Sequence, residues 1–228
     1  HRYGESAGVI GKYLLVGSLL LSGVAAQTPV AERIDCMHGC IDGLTDIAVL
    51  RDGLVLGVRA NGVASYEGGV WKRIATIEDL EGNEDALIAL EGDADDVYLF
   101  GRTCRIFSFD RASRETFEMW SRKDCEIKDV TRTVQGELFA AGLTVSPDND
   151  DVSIHPLLIV LVDGVWTDFP SPSSGGISSL WMHDTSLGWA GMYSARDPIG
   201  ETWISRWDGS GWHTVDFDLG NSIITDID

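Results

Sequence analysis

Positive charge is scarce in this chain: 17 Lys and Arg face 36 Asp and Glu, leaving a formal charge of -19 over 228 residues. A surface of that sign repels phosphate backbones and anionic lipid, which argues against nucleic acid as a partner and favours cations or a basic protein. Proline is sparse too, 6 residues beside 26 glycines, a balance that suits many tight turns and excludes a collagen-like or Pro-rich disordered chain. Histidine is limited to His1, His38, His155, His183 and His213. No two of them share metal-ligand spacing, and none lies in a Ser or Cys nucleophile motif. No glycine-rich phosphate loop precedes a helix, and little beyond the N-terminal segment reads as helix.

Long apolar runs are also missing. Tyr13–Leu21, which follows Lys12, is too short to span a membrane with confidence. Ser22-Gly23-Val24-Ala25-Ala26 comes next, and its small side chains suit cleavage before Gln27. Residues 1–26 are therefore expected to be an export signal with unusual residues upstream, and 27–43 a short N-terminal segment. The expected destination is the periplasm, the cell surface or the medium, with no stable membrane span once the signal is removed. Export permits disulfides. Four cysteines allow three pairings, and the preferred one is Cys36–Cys40 as a small clip with Cys104–Cys125 as a staple across one repeat. A metal site on Cys36, His38 and Cys40 lacks a second ligand pair, and Cys-x-x-x-Cys is not a redox spacing.

What is present in quantity is tryptophan, 8 residues, recurring at the ends of strand-like runs. Tyr66-Glu67-Gly68-Gly69-Val70-Trp71, Val162-Asp163-Gly164-Val165-Trp166 and Trp207-Asp208-Gly209-Ser210-Gly211-Trp212 each join a turn to a tryptophan. A degenerate copy runs from Phe109-Asp110 to Phe117, so Trp71, Phe117, Trp166 and Trp212 are spaced by 46, 49 and 46 residues. A period in the forties with turn-rich, aromatic-bearing units predicts an all-β fold, a β-propeller of four-stranded antiparallel blades. The repeats are expected near 44–77, 84–122, 126–170 and 176–218. Trp71, Trp166 and Trp212 are expected to fill the space between successive sheets. Ser222-Ile223-Ile224-Thr225-Asp226-Ile227-Asp228 resembles the opening Leu44-Thr45-Asp46-Ile47, so 222–228 reads as the first strand of a further unit, which suggests part of a larger propeller.

The units resemble those of exported bacterial propeller-repeat proteins, which pair an Asp-Val-Trp-Ala-Val-Gly-like strand with an aromatic-Asp-Gly-x-x-Trp turn. Asp96-Val97-Tyr98-Leu99-Phe100-Gly101 and Leu187-Gly188-Trp189-Ala190-Gly191 are similar to the first element, and Trp207–Trp212 is similar to the second. A more distant resemblance is to the sialidase Asp-box, from which Ser205-Arg206-Trp207-Asp208-Gly209 departs in residue order. The resemblance implies architecture and is almost silent on activity.

No catalytic constellation stands out, and catalytic residues remain unassigned. Glu84, Asp85, Asp96 and Asp129 fall near strand starts, where solvated or turn-capping roles suffice; His183-Asp184 occupies a strand-to-turn position. In the turn-rich insertion after Ser146, Asp148, Asp150 and Asp151 set oxygen donors close enough for calcium, though the distal Glu of a calcium loop is missing. No other cofactor is implied. The expectation is a non-catalytic exported propeller that binds a protein or glycan through loops on one face. The alternative is a propeller-fold hydrolase or lyase acting on extracellular carbohydrate, which needs converging carboxylates.

Overall fold

The computed structural model describes residues 44–78, 80, 86–93, 96–148, 151–194, 201–215, 224 and 227. The signal at 1–26, the segment 27–43 with Cys36 and Cys40, and Asp150 lie outside the described residues. Four four-stranded antiparallel sheets follow one another along the chain, each ordered as a simple meander. The first holds β1 (Asp46–Val49), β2 (Val55–Arg59), β3 (Gly62–Glu67) and β4 (Val70–Thr76). The second holds β5 (Leu87–Gly92), β6 (Val97–Gly101), β7 (Arg105–Asp110) and β8 (Glu115–Ser121). The third holds β9 (Cys125–Arg132), β10 (Leu138–Asp148), β11 (Asp151–Val162) and β12 (Val165–Asp168). The fourth holds β13 (Gly176–Asp184), β14 (Leu187–Tyr193), β15 (Thr202–Trp207) and β16 (Trp212–Val215). The sheets resemble propeller blades, and their first strands β1, β5, β9 and β13 are successive neighbours. No helix among the described residues is long and apolar enough to cross a membrane.

Apolar runs in the middle strands follow from burial on both faces. In β6, Val97 and Leu99 join the cluster shared with Leu56, Val58 and Val63 of the first sheet. The alternate residues Tyr98 and Phe100 join the cluster shared with Ile159 and Trp166 of the third. A third cluster packs Phe139 and Leu158 against Leu180, Met192 and Trp207. Side chains alternate along a strand, so a strand covered on two sides needs apolar residues at both parities.

Hydrogen bonds between first strands supplement this packing. Asp46 Oδ2 accepts the Leu90 amide at 3.0 Å, joining β1 to β5. Asp129 Oδ2 accepts the Leu180 amide at 2.7 Å, joining β9 to β13. The hydroxyl before the first of these, Thr45 Oγ1, lies 3.0 Å from Val58 O in its own sheet and 2.8 Å from Leu87 O in the next. Ser178 Oγ repeats that arrangement, 3.1 Å from Gly191 O and 2.8 Å from Ile224 O. Ile224 thus stands to the fourth sheet as Leu87 stands to the first. Gly191 makes room for it, since a Cβ there would fall 2.5 Å from Ser179 Oγ and 2.9 Å from Ile224 Cγ2.

The tryptophans sit in matching cross-strand pairs: Tyr66↔Trp71, Leu161↔Trp166 and Trp207↔Trp212. Trp71 and Trp166 are buried, and Trp212 is half-buried against Trp207 with its Nε1 donating to Pro170 O at 2.7 Å. Phe117 does not share this position. In the second sheet Phe109 pairs with Thr116, while Phe117 pairs with Ser108 one step further on and is 52% exposed. A one-residue offset sends a side chain to the opposite face, and the turn of this sheet is two residues longer than those ending at Trp71 and Trp166.

Cys104 and Cys125 form a disulfide across a Cα–Cα distance of 5.8 Å. It ties the β6–β7 turn of the second sheet to the start of β9 in the third. Closing a loop of 21 residues restricts the unfolded chain by about 3 kcal/mol in the chain-entropy picture. The Cys104→Ser/Cys125→Ser pair is expected to lower urea-unfolding stability by about 2–4 kcal/mol, and reductant to do the same to the parent protein only. Asp129→Ala is expected to cost about 1–3 kcal/mol in the same assay, because the Leu180 amide loses its acceptor; Asp129→Asn should recover part of it.

Candidate functional site: a groove under the long turn of the second sheet

The turns β3–β4 and β11–β12 have two residues each, whereas β7–β8 and β15–β16 have four, Arg111-Ala112-Ser113-Arg114 in the second sheet. Asp110 organises this turn: its Oδ1 accepts the amides of Ala112 at 2.7 Å and Ser113 at 3.2 Å. Those amides, Ser113 first, hold its carboxyl below the usual carboxylate range. Ser113 Oγ accepts the Glu115 amide at 3.3 Å, and Arg114 takes a left-handed φ of 61°. The extra length lets the turn reach back to the first sheet, where Arg111 Nη2 bonds Asp52 Oδ2 at 2.6 Å. Asp52 is lowered chiefly by that guanidinium and also by the Leu54 amide.

Between this bridging turn and the first sheet lies an open groove of about 470 Å³, lined by Leu54, Ile74 and Phe109 with Ser65, Glu67 and Arg114. Phe109 and Ser65 are each 2% exposed. Ser65 Oγ donates to Glu67 Oε1 at 3.4 Å. Sequence reasoning missed this groove, and turn length is no signal for it, because the β15–β16 turn is equally long.

The third sheet departs from the repeat in a different way. The expected interruption after Ser146 is absent as such: β10 and β11 stay paired from Leu143↔Pro156 through to Asp148↔Asp151. Pairing with β9 ends at Thr144↔Cys125, so the hairpin continues as a two-stranded arm. Pro147 and Pro156 are accommodated because neither strand has a third partner at those positions. Asp148 and Asp151 close the tip of this arm. Among the described residues no three His, Cys, Asp or Glu are placed to hold a metal ion.

Of the carboxylates singled out from sequence, Asp96 and Asp129 lie among the described residues. Asp129 is the acceptor between β9 and β13, and Asp96 lies in a turn in which its amide donates to Asp93 Oδ1 at 3.3 Å. Glu84 and Asp85 lie outside the described residues. Asp184 Oδ1 accepts the Ser186 amide at 2.7 Å, while His183 stacks on Trp181 with ring centres 5.9 Å apart. A group not foreseen is Glu91, on β5, whose Oε2 lies 3.7 Å from Arg132 Nε at the end of β9. Burial raises it to about 7; Arg132 opposes that shift, and Asp46 and Asp129 add to it. A carboxyl titrating near neutrality is useful to an acid–base catalyst. Here its close partner is a guanidinium, and no metal-capable cluster of His, Cys, Asp or Glu forms among the described residues.

No family model matches the sequence, and no curated protein is detectably similar to it. The chain is similar in structure to the extracellular domain of a putative one-component system from B. thetaiotaomicron, with a TM-score of 0.50, 14% identity, and coverage of 73% of this chain and 21% of that one. It is similar also to the extracellular domain of a putative hybrid two-component system from the same organism, with a TM-score of 0.50, 15% identity and coverage of 72% and 21%. At such identity the likeness concerns the fold alone. The chain spans about a fifth of the length of those structures.

Because the folded state keeps Glu91 protonated to about pH 7 and the unfolded chain releases that proton near 4.5, folding binds a proton across this window. Stability contributed by Glu91 is therefore present below about 4.5 and is lost as pH rises through about 7. Glu91→Gln should remove that loss. In urea titrations the variant is expected to gain on the parent between pH 5 and pH 8, by on the order of 1–2 kcal/mol after allowance for partial exposure. Parallel pH profiles for the two proteins would show that Glu91 does not titrate there.

Proposed function

We propose that this chain forms an exported β-propeller domain and serves as a non-catalytic module that binds a protein or a glycan. The observation that carries the reading is the groove under the β7–β8 turn, which Arg111 ties to Asp52 of the first sheet. Among the described residues no three His, Cys, Asp or Glu are placed to hold a metal ion, which favours binding over a metal-dependent hydrolase or lyase. Propeller assembly is supported by the succession of blade-like sheets and by Ile224, which meets Ser178 as Leu87 meets Thr45. Export is supported by the Cys104–Cys125 disulfide, which suits an oxidising compartment, and by the signal-like N-terminus. The structural neighbours are themselves extracellular domains, in keeping with that destination.

The test is a solid-phase panel of extracellular polysaccharides and oligosaccharides incubated with the protein. Saturable binding to a defined glycan without new reducing ends or unsaturated products is expected. Steady release of such products, abolished by heat denaturation, would replace the binding module with an enzyme.

A further inference from the structure

Each first strand places one residue where it can reach the following sheet, and the identity of that residue alternates. Asp46, Ala89 and Asp129 are matched by their pairing partners Val58, Phe100 and Ala141, each of which lies in the cluster shared with the next sheet. The two aspartates bond alike. One oxygen accepts the amide of the following residue, Ile47 at 2.9 Å or Val130 at 2.8 Å; the other accepts an amide across the junction, Leu90 or Leu180. Ala89 has no acceptor to offer, and the Val130 amide, the counterpart of Leu90 and Leu180, is already taken by Asp129. The carboxylate clamp therefore joins first sheet to second and third to fourth, and skips the junction between.

That middle junction is held by other means. Among the described residues three arginine–carboxylate pairs cross it: Glu91–Arg132 at 3.7 Å, Arg102–Glu126 at 3.7 Å and Arg122–Asp168 at 2.7 Å. All have partly exposed partners, and Arg132 keeps Nε and Nη2 without a hydrogen-bond partner among the described residues. Ion pairs so placed contribute little each and weaken with salt. Ile127 N also donates to Arg102 O at 2.8 Å, but Leu87 N donates to Ala60 O at 2.6 Å across the first junction, so this bond does not distinguish the two. Cys104–Cys125 does, because it ties the β6–β7 turn to the start of β9 where the clamp is missing.

We propose that the junction between the second and third sheets is a redox-gated seam: reduction of Cys104–Cys125 by a dithiol lets two clamped pairs of sheets part there, uncovering Tyr98, Phe100 and Trp166, while each pair stays together. Cys104 is fully buried and Cys125 half-buried, so the attacking thiolate meets Cys125 Sγ and Cys104 leaves as the thiolate. The second thiol of the reductant then displaces Cys125 from the mixed disulfide. Two electrons pass to the protein, two cysteine thiols form, and the dithiol leaves as its own disulfide. The faces that part are aromatic: Tyr98 and Phe100 both meet Trp166 edge-on, at 6.3 and 5.7 Å between ring centres.

The experiment is hydroxyl-radical footprinting of the full chain, read residue by residue by mass spectrometry, with and without dithiothreitol at ~0.5 M salt, where exposed pairs are screened. Tyr98, Phe100 and Trp166 report the middle junction, Phe107 and Phe109 the first, and Met192 and Trp207 the last. Labelling at the middle junction is expected to rise about threefold or more on reduction, with the other two sets unchanged. Cys104→Ser/Cys125→Ser should show the same pattern without reductant. Oxidised Asp129→Ala should show the converse, a rise at Met192 and Trp207 with Tyr98, Phe100 and Trp166 still protected. An equal rise at all three junctions would mean that reduction loosens the whole molecule, and no rise would mean that packing and ion pairs hold the seam unaided; either overturns the proposal. An Asp129→Ala footprint identical to the parent's would also overturn it, since the clamps would then not be what keeps each pair together.

Discussion

A sheet with apolar side chains on both faces has to be covered twice, and the organisation of this protein follows from that requirement. Leu99 and Phe100 are adjacent in β6 and both fully buried, one toward the first sheet and one toward the third. No sandwich of two layers satisfies such a strand if its outer faces meet water. A row of sheets does, because each interior member has a neighbour on either side. The hydrophobic contribution is large for every interior sheet and depends on its neighbours being in place, so the units cooperate.

Packing of this kind is non-directional, and the polar contacts between first strands supply the alignment it lacks. Asp46 and Asp129 each place a carboxylate oxygen on an amide in the following sheet, at positions where a slip of one residue would leave that amide unpaired. At the corresponding place in the fourth sheet stands Ser179, fully buried, with an Oγ that has no partner among the described residues. The Thr45 and Ser178 hydroxyls work from the same strands. Together they set how one sheet follows the next, while the tryptophans on the outer strands fill the widening space between them.

The meander of four strands was legible because each unit carries its own turn signals, Asn61-Gly62 and Gly68-Gly69 in the first sheet among them, and hairpin geometry is local. Aromatic spacing was a poorer guide to register. Aligning Phe117 with Trp71 ignored the length of the intervening turn, and the structure gives that position to Thr116. Ser146-Pro147-Asp148-Asn149-Asp150-Asp151 has loop composition, yet the strands on either side keep their pairing up to Asp148↔Asp151. Asp46 went unremarked and Asp129 was given a solvated or turn-capping role, because their partner amides lie 44 and 51 residues away. The groove was hidden for the same reason: Leu54, Ser65, Phe109 and Arg114 meet only once two sheets are stacked.

The disulfide has a consequence for how the molecule comes apart. Cys104–Cys125 crosses from the second sheet to the third, so the two central units are held covalently while the first and fourth depend on packing and hydrogen bonds. In a linear array with nearest-neighbour coupling, opening starts where coupling is weakest. Among the described sheets, the amide hydrogens of β7 and β9 should then exchange with solvent more slowly in the oxidised protein than in the reduced one. The groove, framed by the first sheet and a turn of the second, lies at a junction that no disulfide among the described residues crosses.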